Sequence, residues 1–519
     1  MNTGNGKKVK ILSLIGTLIV YGGAILIYLY ANGWRIDPLN QQVLKTGVLT
    51  VESDPFLATL YIEGKSKGRT PKSNSLNVGE YEISVKRDGY IEWKKKVEIK
   101  EEKSTPVYPW LIREEIEKSN ISLIAGRKYL NSWTNEFQDK VLILTSTYNE
   151  ESLLFNYELW LYNVNTTFWD LSSNPKVILS FESPVENDIS LSLSPNAQYA
   201  IFTNTTEEIT TQYLIDTSKI VTLEQASVID ISPFSTYNMT WSRDSKYLMF
   251  ESDSDLISFN LDKQSKYLLI KKVEDREYIW STDEQGYFYI VETALDKETE
   301  RVYAYTLTQE EMDGSNPKVL VNDLFFQKNK EYIKRYTEET SVNKYSAFTN
   351  STASTRSVGK IENIIVNQNA QGIFIQTDTA SYWYNIKTKR YHLISPYKSE
   401  LVRFAPDNTK LIYRDTLGYG VFTFLKEESN PNIEIGGKQI VSVNTNDIYW
   451  LSNSLYIYYI ENDSLFIADQ EGENKTKVLD GVSNFKHLGI NSAREHVFTI
   501  LLEGDEVSES ISIDRYIIH

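Results

Sequence analysis

The chain of 519 residues contains no cysteine. It can form neither disulfides nor thiolate metal sites, so its stability must come from packing and hydrogen bonding. A lipid-modified N-terminal cysteine is excluded for the same reason. Histidine is also scarce, and none of the four stands in a metal-ligand spacing such as H-E-x-x-H: His392, His487, His496 and His519. We therefore predict structural or solvent-facing histidines, no catalytic residues, and no metal or cofactor site.

A surplus of basic residues is missing too. Lys and Arg total 54 against 70 Asp and Glu, which gives a net charge of −16. The first 110 residues carry +5 and the remainder −21. An acidic main body lacks the basic footprint that nucleic-acid binding requires, so no nucleic-acid partner is expected. Phosphate-loop and dinucleotide-binding glycine motifs are absent as well.

One long apolar run is present, at residues 11–31, and it contains no charge. About twenty helical residues match the ~30 Å hydrocarbon core of a bilayer. Lysines at 7, 8 and 10 precede the run, which predicts a cytoplasmic N-terminus at 1–10 and an extracytoplasmic bulk. The alternative is a cleaved signal peptide, although its apolar region would be shorter and would end in small residues. We predict a single-pass membrane protein that contacts the lipid bilayer through residues 11–31.

A period of two in polarity follows the apolar run. Tyr81, Ile83 and Val85 share one face of a predicted strand whose other face is charged. Residues 48–51, 58–62 and 96–99 alternate similarly, and glycines at 64, 68, 79 and 89 mark turns between them. These residues predict a compact antiparallel β-module.

The order of residues in this module is similar to the PEGA domain over residues 46–103. The residues that carry the resemblance are Pro55, Ala58, Gly64, Gly68-Arg69-Thr70-Pro71, Leu76, Gly79, Tyr81 and Gly89-Tyr90. The first turn is Glu63-Gly64, where Asp-Gly is more usual, but Gly64 retains the backbone freedom of the turn. The resemblance implies a small β-sandwich from a bacterial surface or envelope protein, acting in binding or spacing. It implies no catalytic residue, and residues 104–120 are predicted to be a linker.

Three short segments resemble functional motifs. Residues 64–68 fit the hydrolase pattern G-x-S-x-G, but no helix follows them, so we predict a lysine-rich hairpin. Residues 251–255 alternate acids like a calcium loop, yet Leu256 and Asp262 stand where Gly and Glu are needed, which favours an acidic turn. Lys94, Lys95 and Lys96 could contact anionic lipid, although a lysine-protected strand edge is the more ordinary explanation.

The rest of the chain, 121–519, is repetitive. Eight times, a large apolar residue opens a short polar turn that a strand follows, and Asp or Asn is fourth in six of the eight openings. The openings begin at Trp133, Leu193, Trp241, Trp280, Val366, Phe404, Trp450 and Ile490. They are 38 to 60 residues apart, except for one interval of 86. Periods near 40 to 50 residues are typical of β-propellers.

The repeat units resemble those of TolB-like and WD40-like propellers, in which W-S-P-D-G begins the second strand. They lack the Gly-His and Trp-Asp dipeptides of WD40 repeats, so the resemblance implies an architecture and no partner. We predict eight blades, with seven as the alternative, and an insertion at about 321–360 within the long interval. The insertion is either a functional or a flexible loop.

These observations predict an all-β protein with one N-terminal transmembrane helix, displayed at the cell surface as a non-catalytic binding or scaffolding protein. The expected partner is another envelope protein or a cell-wall polysaccharide. Two alternatives remain: a propeller hydrolase or lyase acting on envelope glycans, and an accessory subunit of a secretion or signalling assembly. The enzyme would require carboxylates, His or Arg to converge at the channel mouth with perturbed pKa values.

Overall fold

The computed structural model forms two compact units, which are described separately. The first comprises the described residues up to Glu115 together with His519, and the second comprises those of 116–425 and 435–518. The described residues are 14, 16–24, 27–28, 34–37, 42–135, 139–164, 175–205, 210–223, 226–228, 237–274, 276–296, 301–324, 360–368, 371–425, 436–441, 445, 448–491, 496–503 and 510–519. The predicted cytoplasmic segment 1–10 and most of the predicted insertion lie outside them.

Residues of the predicted membrane span are helical where they are described, at 14, 16–24 and 27–28. Among the described residues, no helix is both long and apolar enough to cross a bilayer. The remainder of the predicted span 11–31 lies outside the described residues.

The first unit contains two sheets that pack face to face. Its strands are β1 (Trp34–Asp37), β2 (Gln42–Val51), β3 (Thr59–Ile62), β4 (Lys65–Arg69), β5 (Lys72–Asn77), β6 (Gly79–Lys86), β7 (Trp93–Ile99) and β8 (Ser104–Val107). One sheet has the order β1-β2-β5 with β8 added to β2, and the other has the order β4-β3-β6-β7. Alternation on β6 buries Ile83 and Val85 and leaves Glu80 and Lys86 exposed, as the period of two predicts.

The core between these sheets draws on both of them. Leu49 and Val51 come from β2, and Leu60 and Ile83 from the facing sheet; all four are essentially inaccessible to water. The predicted small sandwich is therefore present, because apolar residues on one face of each sheet can be buried only against the other sheet.

The first unit extends beyond residue 103. Strand β8 pairs in parallel with β2, with Val48 opposite Ser104. Trp110 and Leu111 are buried as well. The residues predicted as a linker from 104 therefore belong to the sandwich up to about Glu115. Pro106 is tolerated within β8 because this strand lies at the edge of its sheet.

In the part of the chain that the structure describes, the second unit consists of eight sheets that follow one another along the chain. Its strands are β9 (Glu117–Ala125), β10 (Lys128–Thr134), β11 (Lys140–Asn149), β12 (Leu154–Asn163), β13 (Lys176–Ser183), β14 (Asp188–Leu193), β15 (Tyr199–Thr205), β16 (Thr210–Asp216), β17 (Val221–Thr222), β18 (Ser227–Val228), β19 (Asn238–Trp241), β20 (Tyr247–Glu251), β21 (Asp255–Asn260), β22 (Ser265–Lys271), β23 (Arg276–Thr282), β24 (Tyr287–Asp296), β25 (Arg301–Glu311), β26 (Lys318–Leu324), β27 (Ile361–Val366), β28 (Gly372–Thr377), β29 (Ser381–Asn385), β30 (Arg390–Ser395), β31 (Glu400–Phe404), β32 (Lys410–Asp415), β33 (Gly418–Thr423), β34 (Gly436–Val441), β35 (Ile448–Trp450), β36 (Tyr456–Glu461), β37 (Ser464–Asp469), β38 (Thr476–Asp480), β39 (His487–Asn491), β40 (His496–Glu503) and β41 (Ser510–Ile517). A short 3-10 helix, Val482–Asn484, lies between β38 and β39.

Each sheet is an antiparallel meander. Among the described residues, the sheets in chain order are β10-β11-β12-β13-β17, β14-β15-β16-β18, β19-β20-β21-β22, β23-β24-β25-β26, β27-β28-β29-β30, β31-β32-β33-β34, β35-β36-β37-β38 and β39-β40-β41-β9. Strand β17 adds to the first sheet in parallel with β13. We number the sheets one to eight in this order.

The eight described sheets are arranged as a ring, in which the seventh and eighth are connected along the chain by the 3-10 helix Val482–Asn484. Six apolar clusters each join consecutive sheets, from the first to the seventh. A further cluster joins the eighth sheet to the first, where Ile124 and Ile511 pack with Val141. Strand β9 closes the ring, because this N-terminal strand pairs with β41, with Ala125 opposite Ser510. Radial repetition of this kind leaves each sheet only short edges.

Candidate functional site

All eight predicted openings lie at the end of the first strand of a sheet. The strands that end in them are β10, β14, β19, β23, β27, β31, β35 and β39. The first strands of neighbouring sheets lie side by side, as β23 and β27 do. The openings therefore gather on one face of the ring, which we call the turn face.

The Asp and Asn residues of the turn face hold the turns by local hydrogen bonds. Asp283 Oδ1 accepts bonds from the backbone N–H groups of Gln285 and Tyr287, both at 2.9 Å. Asp283 Oδ2 accepts the Tyr289 hydroxyl at 2.9 Å. Burial, the largest effect, raises the pKa of the Asp283 carboxyl against the lowering effect of these bonds. The Asp283 carboxylate therefore stabilises the turn through all three bonds.

The fifth opening uses a different residue from the one that the pattern indicated. Asn369, the fourth residue, lies outside the described residues. Asn367, the second, is fully buried, and its Oδ1 accepts the N–H groups of Gln371 and Gly372 at 2.8 and 3.0 Å. At both openings a side-chain oxygen accepts backbone N–H groups of the turn, but the residue that supplies this oxygen stands at a different position in the opening.

Neighbouring turns are also bonded to one another. In three cases a backbone N–H of one turn donates to a hydroxyl oxygen of the next: Asn196 to Ser245 at 3.1 Å, Arg243 to Thr282 at 3.0 Å, and Asp407 to Ser454 at 2.9 Å. In two others a side-chain amide donates: Asn135 to the Pro195 carbonyl at 3.3 Å and Asn367 to Asn408 Oδ1 at 3.2 Å. These five hydrogen bonds link turns of neighbouring sheets and so hold the sheets at a fixed spacing on the turn face.

The Arg243 side chain extends across the turn face. Its Nη1 donates to the Val366 carbonyl at 3.0 Å, and its guanidinium carbon lies 5.6 Å from the centroid of the Phe404 ring. Arg243 belongs to the third sheet, whereas Val366 and Phe404 belong to the fifth and sixth. The side chain therefore bypasses the fourth sheet and crosses the ring near its axis.

The opposite face, at the starts of the first strands, is charged. Three exposed ion pairs there join neighbouring sheets: Lys128 with Glu186 at 3.7 Å, Lys360 with Glu277 at 2.6 Å, and Lys398 with Glu362 at 2.6 Å. We call these six residues the charged rim. Exposed ion pairs contribute only about 0–1 kcal/mol to stability. The charged rim therefore adds little to the stability of the ring, and we interpret it as an exposed surface.

The histidines are not brought together. His392 lies in the fifth sheet and His487 in the eighth, and burial lowers the pKa of each imidazole to about 4, with Arg390 adding to the effect at His392. In the first unit, the ring of His519 stacks on Trp110 at 4.9 Å, and its Nδ1 lies 2.8 Å from the Leu111 carbonyl. Within the part of the chain that the structure describes, no three His, Asp or Glu residues form a group able to hold a metal ion.

The motif-like segments have structural places. Residues 64–68 lie in the β3–β4 hairpin, and no helix follows them. Residues 251–255 form the β20–β21 turn, where Glu251 accepts bonds from Lys272 Nζ and Trp280 Nε1, both at 2.9 Å. Lys94 pairs with Glu92, which also binds Lys86, beside a groove of about 240 Å³ in the first unit. Neither the hydrolase nor the calcium motif is assembled.

Sheet topology and ring closure together define the second unit as a β-propeller. The first unit has its own assignment: residues 46–113 match the PEGA domain family. This match extends ten residues beyond the boundary predicted from sequence and includes β8. It covers only a small part of the chain, and no curated protein matches the chain in sequence.

Several solved structures are similar at low identity. An oligogalacturonate lyase from Vibrio parahaemolyticus is 9% identical, with 75% of this chain and 98% of that chain covered and a TM-score of 0.37. Kluyveromyces lactis Hsv2 is 12% identical, with 73% and 95% covered and a TM-score of 0.32. Dipeptidyl peptidase 4 from Porphyromonas gingivalis is 11% identical, with 75% and 60% covered and a TM-score of 0.37. These values carry no information about activity.

Proposed function

We propose that this protein is a membrane-anchored, non-catalytic binding or scaffolding protein of the bacterial cell surface. In this proposal residues 11–31 span the membrane with the N-terminus in the cytoplasm. A PEGA module follows the anchor, and an eight-bladed propeller presents the binding surface outside the cell.

The charged rim is the observation that carries the binding role. Its six side chains are exposed and of both signs. Four of them form a row of alternating charges across the fourth to sixth sheets, and the other two form a pair between the first and second sheets. Mixed charge at an interface provides orientation and specificity more than raw affinity. This chemistry fits an envelope protein with complementary charges better than an uncharged polysaccharide.

The anchor is supported by the sequence and by exposure of its side chains. Leu18, Ile19 and Val20 are helical and between 66% and 69% exposed. Apolar helical side chains left in water are unfavourable, and a bilayer would remove them from it.

The role of the rim can be tested with charge reversal in the full chain. The variant Lys360→Glu with Lys398→Glu converts two rim pairs into like-charge contacts. The matched control, Lys219→Glu with Lys387→Glu, makes the same charge change at two exposed lysines in the turns that follow β16 and β29, at the turn face. Each protein would be purified in mild detergent and assayed for stoichiometric co-purification of envelope proteins and for co-sedimentation with isolated cell wall.

We expect a co-purifying envelope protein that the rim variant loses and the control keeps. Equal retention by wild type and both variants would remove the rim from the proposal. Release of fragments from envelope glycans by the wild-type protein would contradict a non-catalytic role.

A further inference from the structure

A loop of the first unit displays two large apolar side chains to solvent. Phe56 is 67% exposed and Leu57 is 54% exposed, in the connection between β2 and β3. We call these two residues the apolar tip. Most other large apolar side chains of this unit are buried in its core. The exposure of Phe56 and Leu57 could therefore not be predicted from their residue types.

The backbone of the apolar tip is held firmly. Leu57 has a φ of +65°, in the left-handed region that branched and bulky residues avoid. Its N–H donates to the Thr70 carbonyl at 3.0 Å, and the next N–H, that of Ala58, donates to the buried Thr70 hydroxyl at 3.1 Å. Arg87 Nη1 donates to the Phe56 carbonyl at 2.7 Å. A strained, tightly bonded loop that exposes apolar side chains indicates a contact surface rather than a loose connection.

A row of free cations runs along the edge strand that ends at the tip. All five residues of β4 are exposed. Lys65, Lys67 and Arg69 of this strand, and Lys72 just beyond it, form no ion pair with any described residue. We call these four residues the basic edge. By contrast, Lys86 and Lys94 on the same sheet are paired with Glu92.

Strand register places the basic edge and the apolar tip together. Thr59, two residues after Leu57, pairs with Arg69 of β4 and with Lys86 of β6. Arg69 and Arg87 therefore flank the strand end from which the tip projects. Edge lysines alone would be explained as protection against aggregation, but that explanation does not account for the adjoining apolar tip.

We propose that the apolar tip and the basic edge form a second membrane contact, in which Phe56 and Leu57 enter the interface of an anionic bilayer. The cations of the basic edge then meet lipid phosphates. Apolar side chains beside Lys and Arg are the combination that interfacial membrane binding uses, whereas a soluble polyanion would use the cations alone.

The chain length between anchor and module makes this contact feasible. The proposal rests on the membrane anchor proposed above. Fourteen residues lie between Ala31 and Thr46, where the PEGA match begins, and this stretch of chain reaches at most ~50 Å. The PEGA module is thus confined to the neighbourhood of the bilayer, where weak interfacial contacts are effective.

A fluorescent probe at the tip can test this contact. The chain has no cysteine, so Phe56→Cys in the full chain accepts a single environment-sensitive label. The control is Val78→Cys, which is also apolar, 51% exposed, and lies at the other end of β6 from Lys86. Vesicles would contain phosphatidylcholine alone, or equal parts of phosphatidylcholine and phosphatidylglycerol, with a quencher on the acyl chains.

We expect several-fold stronger quenching at position 56 than at position 78 in the anionic vesicles, and weaker quenching at 56 without phosphatidylglycerol. Each cation near an anionic surface contributes about fivefold to binding. The triple variant Lys65→Gln, Lys67→Gln, Arg69→Gln should therefore weaken docking of the tip by about 100-fold. Since the Debye length is ~3 Å at 1 M salt, high salt should remove the dependence on phosphatidylglycerol.

Equal quenching at the two positions, or none at position 56, would overturn the proposal. Binding of soluble polyphosphate with an unquenched tip would assign the basic edge to a soluble polyanion and overturn it too. Extraction of the whole chain from vesicles by alkaline high salt tests the anchor separately. If position 56 is quenched but the chain is extracted, the membrane contact of the apolar tip is supported and the anchor is refuted. If the chain resists extraction but position 56 is not quenched, the anchor is supported and the tip contact is refuted.

Discussion

Thr70 is the residue on which the apolar tip of the first unit depends most directly. Its side chain is 1% exposed, and its hydroxyl oxygen accepts the Ala58 N–H at 3.1 Å and lies 2.5 Å from Ser53 Oγ. The substitution Thr70→Val keeps the shape and removes the hydroxyl. The Ala58 N–H then stays buried without its acceptor.

The magnitude follows from that orphaned group. An unsatisfied buried donor costs about 1–3 kcal/mol, so we expect a loss of about 2 kcal/mol in the free energy of unfolding of the first unit. A domain of the size of residues 46–113 has a total of roughly 3–10 kcal/mol. The melting temperature of this unit should fall by about 8–16 °C, since each kcal/mol shifts a small domain by about 4–8 °C.

Hydrogen exchange measured by mass spectrometry separates this unit from the propeller. Peptides from residues 46–113 should exchange about 30-fold faster in the variant under conditions where exchange reports the unfolding equilibrium. Propeller peptides should be unchanged. The control is Thr50→Val, because the Thr50 hydroxyl bonds only an exposed Ser73 hydroxyl at 3.2 Å. Its effect should stay within about 0.5 kcal/mol. If both variants behaved alike, the Thr70 hydroxyl would not hold the loop and the reasoning would be refuted.

Three further predictions concern the propeller. Ile124→Ala in the closing strand β9, where the side chain is 4% exposed, should cost about 2–5 kcal/mol in urea unfolding; an unchanged midpoint would contradict the role of β9 in closure. Gly372→Ala would place a Cβ in collision with the Trp383 ring and should cost at least about 1–3 kcal/mol. Its control is Gly436→Ala, whose Cβ would meet no described atom within 4 Å and should be tolerated. Thermal melting compares the two variants. His392 has its pKa lowered by burial to about 4, so the unfolded chain binds more protons below pH ~6.5 and stability falls as pH drops towards 4. By pH 5 this loss should be about 2 kcal/mol, and His392→Gln should abolish that share of the pH dependence of urea unfolding.

Features that depend on neighbours in the chain could be predicted from sequence. The alternation on β6 and the eight openings rely on contacts within a few residues, as in the bonds from Asp283 to Gln285 and Tyr287. Their chemistry is local, so their pattern is visible in a single sequence. The closing strand β9 and the added strand β8 were missed, because each pairs with a distant segment and neither carries a turn signal of its own.

The sequence by itself determined the absence of disulfides, the apolar run at 11–31, the PEGA module and the repeated blade openings. Only the tertiary structure decided where individual side chains lie and what they contact. Asp283 stabilises a turn, Arg243 crosses the ring, and Phe56 and Leu57 face solvent. An apolar residue in a β-rich sequence is consistent with core or surface alike. Its burial is settled by what the opposite sheet covers, and that depends on segments far away in the chain.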